Sequence, residues 1–279
     1  MQIPFTKMHG LGNDFMVVDM VSNHVKFPTD RIRQLADRHF GVGFDQLLLV
    51  EPPSDPGVDF DYRIFNADGA EVEHCGNGAR CFASFVHNKG LTGKNPVRVK
   101  TLSRVLSLNL NPDGSITVDM GLPETRPEFI PFVAKSEAPV YRRTLDIRGQ
   151  QQEVEFMALS MGNPHAVIMV EDLAASAVTD IGEALGSHPD FPQGVNVGFM
   201  QVVSDQEINL RVYERGSGET LACGTGACAA VVVGCLRGLF NGTVKVNVTG
   251  GQLTIQWQPG SSVLMTGPTE TVYEGMLEL

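Results

Sequence analysis

The sequence is poor in several things, and each shortage excludes something. It has 1 tryptophan and 4 tyrosines in 279 residues, against 30 glycines and 16 prolines. Turns therefore take a large share of the chain. Long apolar runs are missing. The most apolar stretch, residues 227–236, is about half of a membrane span. The first ten residues, MQIPFTKMHG, lack a charged segment followed by an apolar one, so no export signal is expected. Positive charge is scarce as well: 21 Lys and Arg face 32 Asp and Glu, a formal net charge of -11. A free-standing nucleic-acid binder would carry a basic surface. The densest basic stretch here, Arg142, Arg143 and Arg148, is broken by Asp146 and reads as a solvated face. Cysteine is limited to 5. An odd count without an export signal points to thiols in a reducing cytoplasm, not to a disulfide framework. No Cys-x2-Cys pair favours zinc. No P-loop and no GxGxxG after a buried strand favours a nucleotide. With 42% apolar and 19% charged residues, the composition is that of a globular protein with an ample core.

What is present is a repeat. Residues 63–79, RIFNADGAEVEHCGNGA, fall on residues 211–227, RVYERGSGETLACGTGA, without a gap. Arg63 meets Arg211, Glu71 meets Glu219, Cys75 meets Cys223, and further on Gly90 meets Gly238. With small drifts the match extends both ways. Gly12-Asn13 falls on Gly162-Asn163, Gln46 on Asn196, and VDMGLP (118–123) on VLMTGP (263–268). Each copy is about 120 residues long, too few copies for a solenoid. The sequence predicts two pseudo-symmetric domains. The first is residues 1–123 plus a returning tail at 269–279, and the second is 124–268.

After each Cys-Gly-x-Gly the apolar spacing turns helical: Ala79, Phe82, Ala83, Val86 in one copy and Ala227, Ala230, Val231, Gly234 in the other. Gly90 and Gly238 stand where such helices would end. Beyond them the period becomes two, over 106–110 and 116–120 and again over 244–248 and 253–257, around Asn111-Pro-Asp-Gly and Thr249-Gly-Gly turns. The expected fold class is α+β, each domain a mainly antiparallel sheet or barrel around a central helix.

A cysteine just before a helix lies at the positive end of the helix dipole, beside N–H groups without intrahelical partners. Both lower a thiol pKa, and the glycines let an anion come close. Each copy thus offers a sulfur beside a small anion site. Two such sulfurs could invert a carbon centre, one thiolate removing a proton from one face and one thiol delivering a proton to the other. Oriented N–H groups would hold the carboxylate as charge develops on it. The dipole supplies about 0.3–1 kcal/mol, whereas one pKa unit is about 1.36 kcal/mol. The dipole alone cannot ready the base, and a nearby proton acceptor is needed. A phosphate cradle and a Cys75–Cys223 redox switch remain as alternatives. Cys81, Cys228 and Cys235 read as small buried hydrophobes.

Six segments in order carry a resemblance: FTKMHGLGNDF (5–15), GVGFDQLLLV (41–50), FNADGAEVEHCGNGARCFA (65–83), MGNPHAV (161–167), GVNVGF (194–199) and YERGSGETLACGTGACA (213–229). The chain resembles, over nearly its whole length, the diaminopimelate epimerases, cofactor-independent two-cysteine amino-acid epimerases. The resemblance implies an isomerase that interconverts LL- and meso-2,6-diaminoheptanedioate in the cytoplasm, serving lysine and peptidoglycan precursor synthesis. It implies no cofactor, no metal, no nucleic-acid or membrane partner, a site in the interdomain cleft, and a homodimer with Tyr273 at the contact.

Residue by residue, Cys75 and Cys223 match the catalytic pair. Gly76-Asn77 and Gly224-Thr225 match the cradles for the reacting carboxylate. Asn13 and Gln46 match polar residues lining the site. Asn66, Asn163, Asn196 and Arg215 match the holders of the distal substrate end, with Glu214 near its ammonium. His165 and Glu214 match groups that tune the thiols. A planar guanidinium such as that of Arg215 suits a carboxylate, which it can bond bidentately. Two other readings stand beside this one. A proline- or hydroxyproline-type racemase would have no distal carboxylate for Arg215 to hold. A non-catalytic thiol-redox or metal-binding module would work through a reversible disulfide or bound zinc.

Overall fold

A computed structural model describes residues 2–73, 75–134 and 136–278. The chain divides into two units, 1–119 with 266–279, and 120–265. The repeat had placed the crossings at 123/124 and 268/269. The earlier first crossing has a local cause. Met120 N–H bonds Val263 C=O at 2.8 Å, and Val263 N–H bonds Gly121 C=O at 2.9 Å, which ties 120 and 121 to the second unit.

The first unit runs β1 (Gln2–Gly10), β2 (Asn13–Asp19), α1 (Thr29–Ala36), β3 (Gln46–Glu51), β4 (Phe60–Asn66), β5 (Glu71–Val72), α2 (Gly76–Asn88), β6 (Val97–Lys100), β7 (Val105–Leu110) and β8 (Ile116–Asp119). In the second unit β9 (Tyr141–Ile147), β10 (Gln150–Ser160), β11 (Pro164–Met169), α3 (Val178–Gly186), β12 (Asn196–Ser204), β13 (Glu207–Glu214), β14 (Gly218–Thr220), α4 (Gly224–Leu236), β15 (Gly242–Val248), β16 (Gly251–Trp257) and β17 (Leu264–Gly267) follow. The unit boundary falls within β17. Finally β18 (Glu270–Glu278) pairs antiparallel with β1 of the first unit, Gln2 opposite Glu278 and His9 opposite Glu270. The fold is mixed α+β, mostly strands with four helices among the described residues.

The two units repeat one topology. In the first, β2 pairs parallel with β3, β3 antiparallel with β4, β4 antiparallel with β5, and β4 parallel with β6. In the second, β11 and β12, β12 and β13, β13 and β14, and β13 and β15 pair in the same order and senses. The repeated Arg and Glu clamp equivalent hairpins. Arg63 grips Glu71 bidentately at 2.8 and 2.9 Å. Arg211 grips Glu219 at 2.6 and 2.8 Å.

Each sheet is covered on both faces, which explains its unbroken apolar runs. On β2 and β3, Met16, Val18, Leu47 and Leu49 pack with Ile32 and Leu35 of α1. The intervening Phe15 and Leu48 face Gly78 of α2, where an added Cβ would lie 3.2 and 3.3 Å from their side chains. In the second unit, Ala166, Ile168, Val197 and Phe199 pack with Val178, Ile181 and Leu185 of α3. There Phe132 stacks on Phe191 at 4.6 Å and meets Tyr141 edge-on at 4.7 Å. Such pairs add about 0.5–1.5 kcal/mol each beyond burial.

The central helices follow from composition. Every residue of α4 from Gly224 to Gly234 except Thr225 is buried, so only small and apolar side chains fit. At Gly234 a Cβ would come within 1.9 Å of the Phe240 ring. Both helices end as the glycines predict. Gly90 and Gly238 take φ of 66° and 71°, and Leu91 and Leu239 N–H groups reach back to Val86 and Gly234 carbonyls at 2.9 Å. This is a Schellman closure.

Candidate active site

Cys75 is the N-cap residue of α2 and Cys223 the N-cap residue of α4, both in extended backbone conformation. All five cysteines are thiols.

In the first unit, strand register collects the polar residues. Gln46 at the start of β3 stands opposite Asn66 at the end of β4 and pairs in register with Phe15 on β2. Gln46 Nε2 donates to Asn66 Oδ1 at 2.8 Å. Its Oε1 is buried and accepts no hydrogen bond in the structure. A buried acceptor without a donor costs about 1–3 kcal/mol, and a ligand N–H would relieve it. Asn13 opens β2 after a two-residue turn whose Leu11 is held at φ 57°. That left-handed conformation costs a branched residue about 1–2 kcal/mol. Asn13 Oδ1 lies 3.5 Å from Cys75 Sγ and 3.4 Å from Asn77 Nδ2.

Three residues of this unit escaped the sequence reading. Tyr62 donates its hydroxyl to the Cys75 carbonyl at 3.2 Å. Burial and the neighbouring Cys75 push the phenol well above its ordinary range, so it stays a donor. Arg80 is fully buried on α2 and donates Nη2 to Asn77 Oδ1 at 2.9 Å. Gly10 makes room for it, since a Cβ there would sit 3.1 Å from Nη2. Asp45 accepts from Asn13 Nδ2 at 2.9 Å.

In the second unit, Asn163 precedes β11 and its Nδ2 donates to Thr225 Oγ1 at 3.3 Å. Thr225 Oγ1 is 3.6 Å from Cys223 Sγ. His165 Nε2 lies 3.0 Å from Asn163 Oδ1. The other end of that amide is its donor, so Nε2 carries the ring proton. His165 is pushed down to about 3 by burial and by the nearby Arg215 charge, and its ring is neutral. It meets the site through Asn163. Asn196, paired in register with His165, is buried. Its amide is committed to backbone, Nδ2 to Pro164 C=O at 3.1 Å and Oδ1 from Arg215 N–H at 3.0 Å. Arg215 Nη1 donates to Gln193 C=O at 2.7 Å, and its stem lies over Gly194.

One expectation is corrected. A helix N-terminus should lower the Cys223 pKa, yet the thiol is pushed well above its ordinary value. Burial is the largest cause and the Glu214 carboxylate the next. The Thr225 hydroxyl and the Gly226 N–H act in the lowering direction and are outweighed. At 4% exposure, desolvating a thiolate costs more than the ~1 kcal/mol a helix terminus returns. Cys223 therefore rests as a thiol. Glu214, steadied by Thr220 Oγ1 at 2.5 Å, is within hydrogen-bonding reach of it. Glu214→Gln removes the charge that holds the proton on sulfur. The pH at which Cys223 becomes half-reactive to a small alkylating reagent should fall, as read by mass spectrometry of its peptide. An unchanged or higher midpoint would contradict this account.

The architecture matches solved structures. A phenazine biosynthesis protein of the PhzF family from Bacillus anthracis superposes with a TM-score of 0.70 at 16% identity, covering 100% of both chains. A hydroxyproline epimerase from Agrobacterium vitis, with bound trans-4-hydroxy-L-proline, gives a TM-score of 0.66 at 18% identity, covering 99% of this chain and 92% of that one. The fold is thus the two-domain fold that these structures share. Residues 5–125 and 157–272 match the family described as diaminopimelate epimerase, and the chain belongs to that family. No helix among the described residues is long and apolar enough to cross a membrane.

Proposed function

We propose that this protein interconverts LL- and meso-2,6-diaminoheptanedioate, one of Cys75 and Cys223 removing the α-proton and the other delivering its own proton to the opposite face. The observation that carries the reading is the duplicated half-site. Each unit sets a cysteine at a helix N-cap with a polar side chain beside the sulfur, Asn13 of β2 at Cys75 and, at Cys223, Thr225 of the same helix, which Asn163 bonds in turn.

The steps balance without a redox change. One sulfur, as thiolate, takes the α-proton and becomes a thiol. The electron pair stays on the α-carbon and spreads into its carboxylate. The other sulfur, as thiol, gives its proton to the opposite face and becomes a thiolate. The N–H groups of Gly76-Asn77 and Gly224-Thr225 stabilise the carboxylate as it gains charge. No cofactor is needed for that sequence.

Glu214 and His165 hold different parts in the proposal. Glu214 faces the Cys223 proton, and His165 orients Asn163. Gln46, Asn66 and Arg215 bind the substrate's remaining polar groups, the exposed Arg215 taking the distal carboxylate. Lysine and peptidoglycan precursor synthesis in the cytoplasm belongs to the same proposal. So does a homodimer through β18, where Val272, Tyr273 and Met276 are exposed and Tyr273 also packs edge-on against Phe5 at 6.0 Å.

Chiral analysis of product from LL-diaminopimelate, L-proline and trans-4-hydroxy-L-proline, offered separately to the reduced protein, tests the substrate. Turnover of the first alone is expected. Turnover of a proline and not of diaminopimelate would replace this reading with that of a proline-type racemase.

A further inference from the structure

We propose that Asp45, itself fixed by Arg38, is a positioning residue that locks the Asn13 amide with its carbonyl toward Cys75. The inference rests on Cys75 being a working thiol of the proposed reaction.

The orientation follows from hydrogen-bonding chemistry. Asp45 Oδ2 lies 2.9 Å from Asn13 Nδ2. A carboxylate only accepts, so that end of the amide must be the NH₂. The other end, Oδ1, then faces Cys75 Sγ at 3.5 Å. Asn77 is fixed from the opposite side. Arg80 Nη2 donates to its Oδ1 at 2.9 Å, which turns its Nδ2 toward Asn13 Oδ1 at 3.4 Å. Two amides thus lie head to tail between a buried cation and an anion, and each dipole reinforces the next.

Asp45 is anchored in turn. Arg38 Nη2 reaches Asp45 Oδ1 at 2.7 Å, and Arg38 also grips Asp14 at 2.9 Å through both Nη atoms. Lys7, largely buried, donates to Asp14 at 2.6 Å and to the Gly43 carbonyl. Burial pushes the Asp14 carboxyl up, but the bonds from Arg38 and Lys7 outweigh it and hold it well below the usual carboxylate range. The Asp14 and Asp45 backbones meet as well, with Asp45 N–H on Asp14 C=O at 3.0 Å. The whole clamp is charged on both sides and set by the loop between α1 and β3.

The second copy lacks this device. Asp45 corresponds to Val195 and Arg80 to Cys228. There Asn163 turns the other way, with its carbonyl on His165 and its NH₂ on Thr225. The near-equivalent amides therefore present different faces to the two half-sites.

A carbonyl oxygen at the sulfur favours S–H over thiolate. Loss of Asp45 leaves the Asn13 amide held only by the long 3.4 Å contact from Asn77, so that it can turn an N–H toward Cys75, which favours the thiolate. Among the described residues, the charged and titratable groups facing this corner include Tyr62 on β4 and Cys81 on α2, which act on Cys75 directly, and Arg80 on α2, which acts through Asn77, with the Asp45–Arg38 pair behind Asn13.

The test is the pH dependence of alkylation at Cys75 in the substrate-free, reduced protein, read by peptide mass spectrometry. Wild type, Asp45→Ala, Asn13→Ala and the double variant are compared. Asp45→Ala should lower the Cys75 midpoint by roughly half a unit to one unit. In the Asn13→Ala background the same change should move it little, because the group being positioned is gone. An unmoved midpoint in Asp45→Ala overturns the proposal. So does an equal shift in both backgrounds, which would make Asp45 a simple charge effect. Should the alanine variant not fold, Asp45→Asn keeps the shape but sets an NH₂ against Asn13 or Arg38, and the same four-way comparison applies. No substrate enters this measurement. Failure of diaminopimelate turnover with the coupling intact would sink the functional reading and leave the positioning standing.

Discussion

Cys75→Ala and Cys223→Ala should each lower kcat/KM for LL-diaminopimelate by about 10³-fold or more, the scale of losing an obligatory acid or base, while both proteins stay folded. No side-chain cap hydrogen bond of ordinary geometry exists at either N-terminus, and the Gly226 N–H loses only a weak sulfur acceptor in Cys223→Ala. Alanine therefore keeps both helix starts. At Cys223, which is buried, the missing sulfur leaves a small void worth about 1 kcal/mol. The two variants should also fail in a diagnostic way. A single remaining thiol can remove and return a proton on one face only. With the LL isomer, the variant that keeps the thiol facing the α-hydrogen washes in solvent hydrogen with retention, the other exchanges none, and neither inverts the carbon. Full epimerisation by either variant would rule out the two-thiol scheme.

Arg215→Met should raise KM for diaminopimelate and lower kcat/KM by roughly 10- to 100-fold, the value of a charge-assisted hydrogen bond. The structure holds this side chain in place. Its backbone N–H is pinned by Asn196 Oδ1, and its stem lies across Gly194, whose φ of 71° and absent Cβ permit the contact. One guanidinium nitrogen is used on Gln193 C=O. No carboxylate pairs with Arg215 among the described residues. An arginine held in place without an acidic partner suits an incoming carboxylate. The same substitution should leave any turnover of proline almost unchanged, because proline has no distal carboxylate. Steady-state kinetics on both substrates separate the outcomes.

The repeat carried most of what could be read beforehand. It located Cys75 and Cys223 at helix starts and Gly90 and Gly238 at helix ends, and it marked Arg63, Glu71, Arg211 and Glu219 as repeated without showing that each arginine grips its own glutamate. All of these are duplicated, so one copy reads the other. Single-copy residues gave no such signal. Asp45, Tyr62 and Arg80 correspond to Val195, Leu210 and Cys228, and their roles arise from contacts across strands and helices. A buried arginine also breaks the usual expectation that arginine is exposed. The parallel pairings of β2 with β3 and of β11 with β12 were hidden for another reason. Alternation marks a strand but not its partner, and strands covered on both faces lose the alternation. The short helices α1 and α3 went unread.

The thiol chemistry shows where local reasoning stops. A helix terminus is visible in sequence, and its effect on a cysteine has a definite sign. Burial is a property of the packed chain, and at Cys223 it outweighs the terminus. The account therefore gives Glu214 the task of handling that proton.

The most direct test incubates LL-diaminopimelate with the reduced wild-type protein in deuterium oxide and analyses early product by chiral separation and mass spectrometry. The account predicts meso product carrying one solvent deuterium at the inverted α-carbon, with no added cofactor. Inverted product that retains its original hydrogen at that carbon, or no product from folded, fully reduced protein, would contradict it.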